Sequence, residues 1–214
     1  MTWRKRIFDL FFASLLVIIL GPIILYLIWK IWREQGRPIF YVAERMKGPE
    51  TSFGLVKFRT MTHVDDDQGV SGAHKMSRIT PMGARLRAKR LDEFPQLWNI
   101  LRGDLSFVGP RPPLREYVER FPDLYAQVLK SRPGVTGLAT IRFHKHEDRL
   151  LARCLTPEET DDVYCRICVP RKARLDLIYQ RHQNTCYDFD LVFQTIGNLF
   201  RGRTKNRKKG LKSK

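Results

Sequence analysis

Neither a G-x-G-x-x-G fingerprint nor a P-loop occurs in this sequence, which disfavours the conventional nucleotide-binding folds. Charge is missing from positions 10–29, and those twenty residues are enough to reach across a bilayer core as a straight helix. A small-residue cleavage site of the A-x-A kind is also lacking after that stretch, which argues against a signal peptide. Acidic residues are scarce, 22 Asp and Glu against 39 Lys and Arg in 214 residues, and they are absent from 201–214. The net charge of +17 invites a nucleic-acid reading, but its distribution speaks against one. Residues 1–37 carry +4 and 201–214 carry +8, leaving +5 on 38–200, where basic and aromatic residues do not interleave and no nucleic-acid motif occurs.

The cysteines lack a second close pair. Cys165-x-x-Cys168 has zinc-ligand spacing, and Cys154, Cys186, His144, His146 and His182 could complete a site, but reduced thiols in a cytosol-facing domain are the expectation. Asp65-Asp66-Asp67 lacks the alternating spacing of a calcium loop and reads as a solvated loop.

What the sequence does have is concentrated in 80–113. Thr80-Pro81 starts a short helix running from 81 towards 89, because a threonine side chain caps and proline suits the first helical position. Pro95 marks a second start, with Leu97, Trp98, Ile100 and Leu101 at helical spacing before Gly103. Asp92 and Glu93 therefore sit at or just before a helix N-terminus, among Arg85, Arg87, Lys89 and Arg90. The helix dipole and the arginines there favour an ionised carboxylate, and an ionised aspartate can act as a nucleophile. Read plainly, the same residues are an N-cap and a solvated basic face. Residues 105–108 read as a buried strand delivering Gly109-Pro110-Arg111-Pro112-Pro113, a rigid turn that holds one arginine, and a stiff guanidinium suits phosphate.

Elsewhere, strands are expected over 39–44 and 53–61 around a Gly48-Pro49 turn, with Arg45, Lys57 and Arg59 along the hairpin, where Lys57 reads either as a phosphate ligand or as part of a plain charged outward face. Helices are expected over 114–121 and 123–131, followed at 132–137 by a turn whose glycines let the backbone approach a ligand closely. Thr156-Pro157-Glu158-Glu159 is a capping box opening a helix to about Cys165, and 190–200 is an amphipathic stretch suited to a membrane interface. Gly21-Pro22 lies at the centre of the apolar segment, where proline favours a kink, and basic residues flank both ends instead of one. A kinked transmembrane helix and a re-entrant hairpin both fit that pattern.

The run LRAKRLDEFPQLWNILRGDLSFVGPRPPL, with KFRTM at 57–61 and RPGVTGLA at 132–139, resembles the bacterial sugar transferase family, the monotopic polyprenyl-phosphate phosphoglycosyl transferases. The resemblance implies transfer of a sugar 1-phosphate from a UDP-sugar donor to polyprenyl (undecaprenyl) phosphate, the first membrane step of glycoconjugate or polysaccharide biosynthesis. Asp92 would attack phosphorus to give a covalent aspartyl phosphosugar and release UMP. Mg²⁺ would sit at Asp92 and Glu93, with Lys57, Arg87 and Arg111 on the substrate phosphates. The implied fold is mixed α/β and mainly helical: a re-entrant helix-break-helix in 1–37 turning at Gly21 and Pro22, a cytosol-facing catalytic domain in 38–200 with a small β-hairpin and interfacial amphipathic helices, and a disordered basic tail in 201–214. The implied setting is the cytoplasmic face of the bacterial inner membrane, against the lipid bilayer, without nucleic acid and with a homodimer left open. Residues 141–148 depart from the family's usual run, so the sugar preference does not carry over. A rival reading, a membrane-tethered basic protein that binds nucleic acid or anionic lipid, accounts for the tail but not for Asp92 and Glu93 among arginines or for Arg111.

Overall fold

The computed structural model describes residues 3–62 and 78–210, with side chains described as far as 198. The expected Asp65–Asp67 loop lies outside the described residues. The longest helix comes first. Helix α1 (Trp3–Gln35) runs without interruption through Gly21 and Pro22, so the expected helix-break-helix is not seen as a gap in the helix. A single proline removes only one backbone hydrogen bond, and packing on both sides of Pro22 holds the turns that flank it.

That packing follows the helical period. Lys5, Asp9, Ala13, Leu27 and Ile31 are buried, with Leu16, Leu20 and Ile24 half-buried between them, so one stripe of α1 lies against the rest of the protein along its length. The opposite stripe is apolar and bare: Phe11 is 63% exposed, Ile18 75% and Leu25 67%. Exposed apolar area on this scale marks a surface made for something other than water.

Strands β1 (Phe40–Met46) and β2 (Ser52–Phe58) form an antiparallel hairpin, pairing Tyr41 with Lys57, Ala43 with Leu55 and Arg45 with Phe53. Paired residues share a face, and Phe53 and Leu55 are buried on theirs against Ala13, Leu97, Ile100 and Leu105. Arg45 and Lys57 therefore project from the face turned to the protein, which sets aside the plain alternative of an outward charged face. Residues 59–61, expected to extend the strand, lie beyond it.

Helix α2 (Pro81–Ala88) starts as its sequence predicts, with the Thr80 hydroxyl accepting the Gly83 N–H at 2.9 Å. A Cβ on Gly83 would sit 2.0 Å from the Thr60 carbonyl oxygen, so only glycine lets this helix press against the end of the hairpin. A 3-10 turn, Leu91–Glu93, then leads into α3 (Gln96–Arg102). Asn99 of α3, 1% exposed, clamps β2 by donating to Gly54 O at 2.8 Å and accepting from Val56 N at 3.0 Å.

Strand β3 (Ser106–Val108) pairs in parallel with β4 (Gly134–Thr136), joined by α4 (Arg115–Arg120) and α5 (Pro122–Val128). A Cβ on Gly134 would meet Gly109 N at 2.1 Å, and one on Gly137 would meet Gly109 O at 2.2 Å. The close backbone approach that these glycines allow is made here to Gly109, at the head of the 109–113 turn. Asp9 fastens α1 to the same strand, accepting from Ser106 Oγ at 3.1 Å and Phe107 N at 3.2 Å.

Beyond β4, residues 141–148 belong to a helix the sequence reading did not foresee, α6 (Leu138–Leu151). The Thr156 hydroxyl accepts the Glu159 N–H at 3.1 Å, as the capping box requires, and starts α7 (Pro157–Val163). That helix does not stop near Cys165. It passes through a π-helical turn (Tyr164–Cys168) into α8 (Val169–His182), because Cys165, Val169 and Ala173 continue one buried stripe against Tyr117, Tyr125 and Val128. Helix α9 (Thr185–Gly210) buries Leu191 and leaves Phe193 and Ile196 exposed, as an interfacial helix would. Helix α9 extends to Gly210, and arginine and lysine are good helix formers. The fold is mainly helical with two small two-stranded sheets, in agreement with the expected class.

Candidate active site

Three constructions converge on one place. The 3-10 turn brings Asp92 and Glu93 to the hairpin end, β2 brings Lys57, and the parallel β3/β4 pair holds the turn bearing Arg111. Asp92 is 8% exposed. Glu93 is within 3.8 Å of Lys57 Nζ and 3.9 Å of Arg90 Nη1, distances that make ion pairs and not hydrogen bonds. Arg90, which precedes the turn, has φ of 53°, a left-handed conformation unfavourable for a side chain of its size. Strain of this kind persists where the surroundings enforce it and gathers at functional sites.

Beside this turn lies a cleft lined by Arg45, Lys57, Gln96, Arg111 and Gly134. Its charges are of one sign. Burial holds Lys57 below its usual pKa, with Arg111 and Arg45 pushing the same way and Glu93 and Asp92 opposing. Burial likewise lowers Arg45, and Arg111 adds to it. An anion entering the cleft would meet three cations already gathered there.

The carboxylate is not tuned as the sequence suggests. A helix N-terminus and neighbouring arginines were expected to favour the anion, but burial raises the Asp92 pKa and Glu93 adds to the rise, while Lys57 and Arg87 only partly offset them. The reason is local. Asp92 lies inside a 3-10 turn instead of capping a regular helix, so it gives up water without gaining a row of N–H donors. A desolvated carboxylate of raised basicity is a stronger nucleophile once ionised.

Arg87 stands on the carboxylate side of the site, its Nε donated to Thr60 Oγ1 at 2.8 Å and its charge felt by Asp92. Arg111 lies on the cleft side with Arg45 and Lys57. Arg45 and Gln96 were not among the sequence candidates. The pairing of Arg45 with Phe53 on the hairpin's inner face was the available signal, since Phe53 and Leu55 alternate as a buried strand should.

Cys165 packs in the core with its Sγ 3.8 Å from Asp161 Oδ1, and all four cysteines are free. Among the described residues, no three His, Cys, Asp or Glu side chains gather as a metal cluster. A zinc site of the kind that Cys165 and Cys168 could have seeded is therefore not formed by these residues.

Known proteins share this arrangement of sequence. The chain is 39% identical over 137 residues to an uncharacterized sugar transferase of Bacillus subtilis, EpsL, covering 64% of this chain and 67% of that protein. It is 39% identical over 144 residues to a UDP-glucose:undecaprenyl-phosphate glucose-1-phosphate transferase of Caulobacter vibrioides, covering 65% of this chain and 54% of that protein. A Klebsiella pneumoniae transferase of the same description is 30% identical over 196 residues, covering 90% of this chain and 39% of that one. The chain thus spans from about two thirds to well under half of the length of these relatives. The sequence profile of bacterial sugar transferases matches residues 1–202, which takes in α1, the hairpin, the carboxylate turn and the cation cleft together. On that match the chain belongs to the bacterial sugar transferase family.

Proposed function

We propose that this protein transfers a sugar 1-phosphate from a UDP-sugar to undecaprenyl phosphate, releasing UMP, through a phosphosugar carried on Asp92. The observation that carries the reading is a buried carboxylate of raised basicity beside a cleft lined by three cations. The Asp92 carboxylate attacks the sugar-bearing phosphorus, forming an O–P bond as the bond to the UMP oxygen breaks. The phosphate oxygen of undecaprenyl phosphate then attacks the same phosphorus, and the carboxylate leaves unchanged. Lys57 and Arg111 neutralise the phosphate oxygens, which is most of what phosphoryl transfer asks of a protein. Arg87 supports the anionic state of Asp92 through its charge.

Asp92 and Glu93 also fit Mg²⁺. They are adjacent oxygen-only donors whose charges disfavour each other, and Mg²⁺ commonly takes one or two carboxylates and completes its shell with phosphate and water. Bound there, Mg²⁺ would neutralise charge on the donor diphosphate.

The acceptor is a lipid, and α1 supplies a way to meet it. Thirty-three residues of helix span about 50 Å, more than the ~30 Å hydrocarbon core. Both ends of α1 rest on the same domain, Lys5 and Asp9 against α9 and β3, Leu27 and Ile31 against β2 and α2. A helix held at both ends to one domain would enter the near leaflet with its bare apolar stripe and return to the same side, with Gly21-Pro22 as the place for a bend and Phe193 and Ile196 also exposed to the interface. The domain then faces the cytoplasm on the inner membrane, where UDP-sugars are found. Cysteines placed at positions 2 and 40 should both label only from the cytoplasmic side in intact cells, and labelling from opposite sides would rule out the re-entrant anchor.

The activity is tested by incubating the purified protein in detergent with Mg²⁺, undecaprenyl phosphate and a panel of radiolabelled UDP-sugars. Label moving into the lipid phase with one equivalent of UMP supports the reading, and no transfer from any donor rejects it.

A further inference from the structure

Arg45 has no evident structural task. It projects from the inner face of the hairpin between Ala43 and the β1–β2 turn, and on that face its cross-strand neighbours Phe53 and Leu55 are apolar and buried. Its Nε is buried without a hydrogen-bond partner. Among the described residues it forms no ion pair with a carboxylate, while Arg111 and Lys57 line the same cleft. Burial and the Arg111 charge both act against its ionised form, and the nearby Tyr164, Tyr41 and Glu116 compensate less. A guanidinium stays charged in proteins, so its unpaired N–H and its repulsion from Arg111 remain as a cost. That cost is removed when a dianion with several acceptor oxygens enters, and a planar fork of donors matches phosphate.

The chemistry narrows which phosphate. In each half-reaction the attacking and leaving oxygens lie roughly in line across the phosphorus. Asp92 occupies one apical position both times, as nucleophile and then as leaving group. The UMP phosphate that leaves and the undecaprenyl phosphate that enters must therefore pass through the same opposite position.

We propose that Arg45, with Arg111 and Lys57, forms one phosphate pocket that is occupied first by the departing UMP phosphate and then by the incoming undecaprenyl phosphate. This rests on the proposed transfer reaction. It adds a phosphate-binding residue and makes UMP and the lipid acceptor exclusive occupants of a single site.

The two half-reactions separate the possibilities. Purified full-length protein and its Arg45→Met and Arg45→Lys variants are incubated with Mg²⁺ and donor alone, and the UMP burst is timed. Undecaprenyl phosphate is then added to the isolated labelled protein, with and without UMP. Arg45→Met should slow both half-reactions by a similar factor, roughly 10- to 100-fold, as loss of one charge-assisted contact predicts. Arg45→Lys should retain part of each rate. UMP should compete with undecaprenyl phosphate on the labelled wild type, and its inhibition constant should weaken in Arg45→Met by about the same factor. If wild type turns over and Arg45→Met leaves both rates unchanged, or slows only one, the shared pocket is wrong. Non-competitive UMP also overturns it. Absence of a UMP burst in wild type would instead reject the phosphosugar intermediate on Asp92 on which the proposal rests. Should Arg45→Met fail to fold, unaltered rates and unaltered thermal stabilisation by UMP in Arg45→Lys would overturn the proposal equally.

Discussion

Among the described residues, two of the clusters of buried charge are built on opposite plans. At the start of α1, Lys5 donates to Asp188 Oδ2 at 2.5 Å and to the Tyr179 hydroxyl at 3.1 Å, the hydroxyl donates to Asp188 Oδ1 at 2.6 Å, and Gln183 Nε2 donates to the same hydroxyl at 3.2 Å. Lys5, Tyr179 and Asp188 are 4%, 0% and 1% exposed, and each finds its partners within the protein. At the cleft, Arg45, Lys57 and Arg111 face each other, Glu93 meets Lys57 only at 3.8 Å, and Arg45 Nε has no partner. The first cluster is complete and joins α1, α8 and α9. The second is incomplete, and a protein retains an incomplete polar cluster where a ligand supplies the missing charge.

The two plans predict different failures. In the cleft cluster, Asp92→Asn keeps size and hydrogen-bonding capacity but removes the nucleophilic charge. Turnover should fall by about three orders of magnitude or more while the melting temperature in detergent stays within about a degree, as expected when an interaction made only during the reaction is removed. A folded, active Asp92→Asn would show that the cleft cluster is structural after all. In the complete cluster, Lys5→Met strands the Asp188 carboxylate in the interior. The expected cost is about 3–5 kcal/mol of stability, read as a large drop in melting temperature, with near-normal turnover in the molecules that remain folded. A stability change near zero would mean that the Lys5 network does not hold α1 to the domain.

A third effect is smaller. Asp176 on α8 is 7% exposed, its Oδ1 is unpartnered, and burial raises its pKa to about 7 with Lys172 only partly opposing. Its folded pKa stands above the unfolded value, so the stability it contributes is fully present below about pH 4 and is lost as pH rises through about 7. Asp176→Asn should match wild type near pH 4 and melt on the order of 5 °C higher at pH 8. Equal melting temperatures at both pH values would show that Asp176 has found a partner.

Much of the complete part was legible from sequence, because it follows local rules. Thr80-Pro81 and Thr156-Pro157 start helices at those residues, Gly103 stops α3 at φ of 94°, and Leu114, Tyr117, Val118, Val128 and Leu129 pack together as their spacing predicts. Asp92, Glu93, Lys57 and Arg111 were also singled out, and the fold brings them into one neighbourhood. What the sequence hid is long-range. The parallel pairing of Ser106 with Gly134 spans a crossover of two helices, and Lys5 meets Asp188 across 183 positions, neither of which leaves a local periodic signal. Arg45 was hidden for a subtler reason. Alternation puts it on the buried face of the hairpin, but a charged residue at such a position reads as evidence that the face is exposed. The direction of the Asp92 shift was missed because a helix N-terminus was assumed where the chain forms a 3-10 turn.

The central claim is that the incomplete cluster exists to make and break a bond between Asp92 and phosphorus. Wild-type protein incubated with Mg²⁺ and donor labelled in the sugar, with no lipid acceptor, should release UMP in a burst of one equivalent. Digestion and mass spectrometry should then find the sugar phosphate on the peptide containing Asp92, and added undecaprenyl phosphate should discharge it. Label on a different residue, or UMP released only when the acceptor is present, would contradict the account.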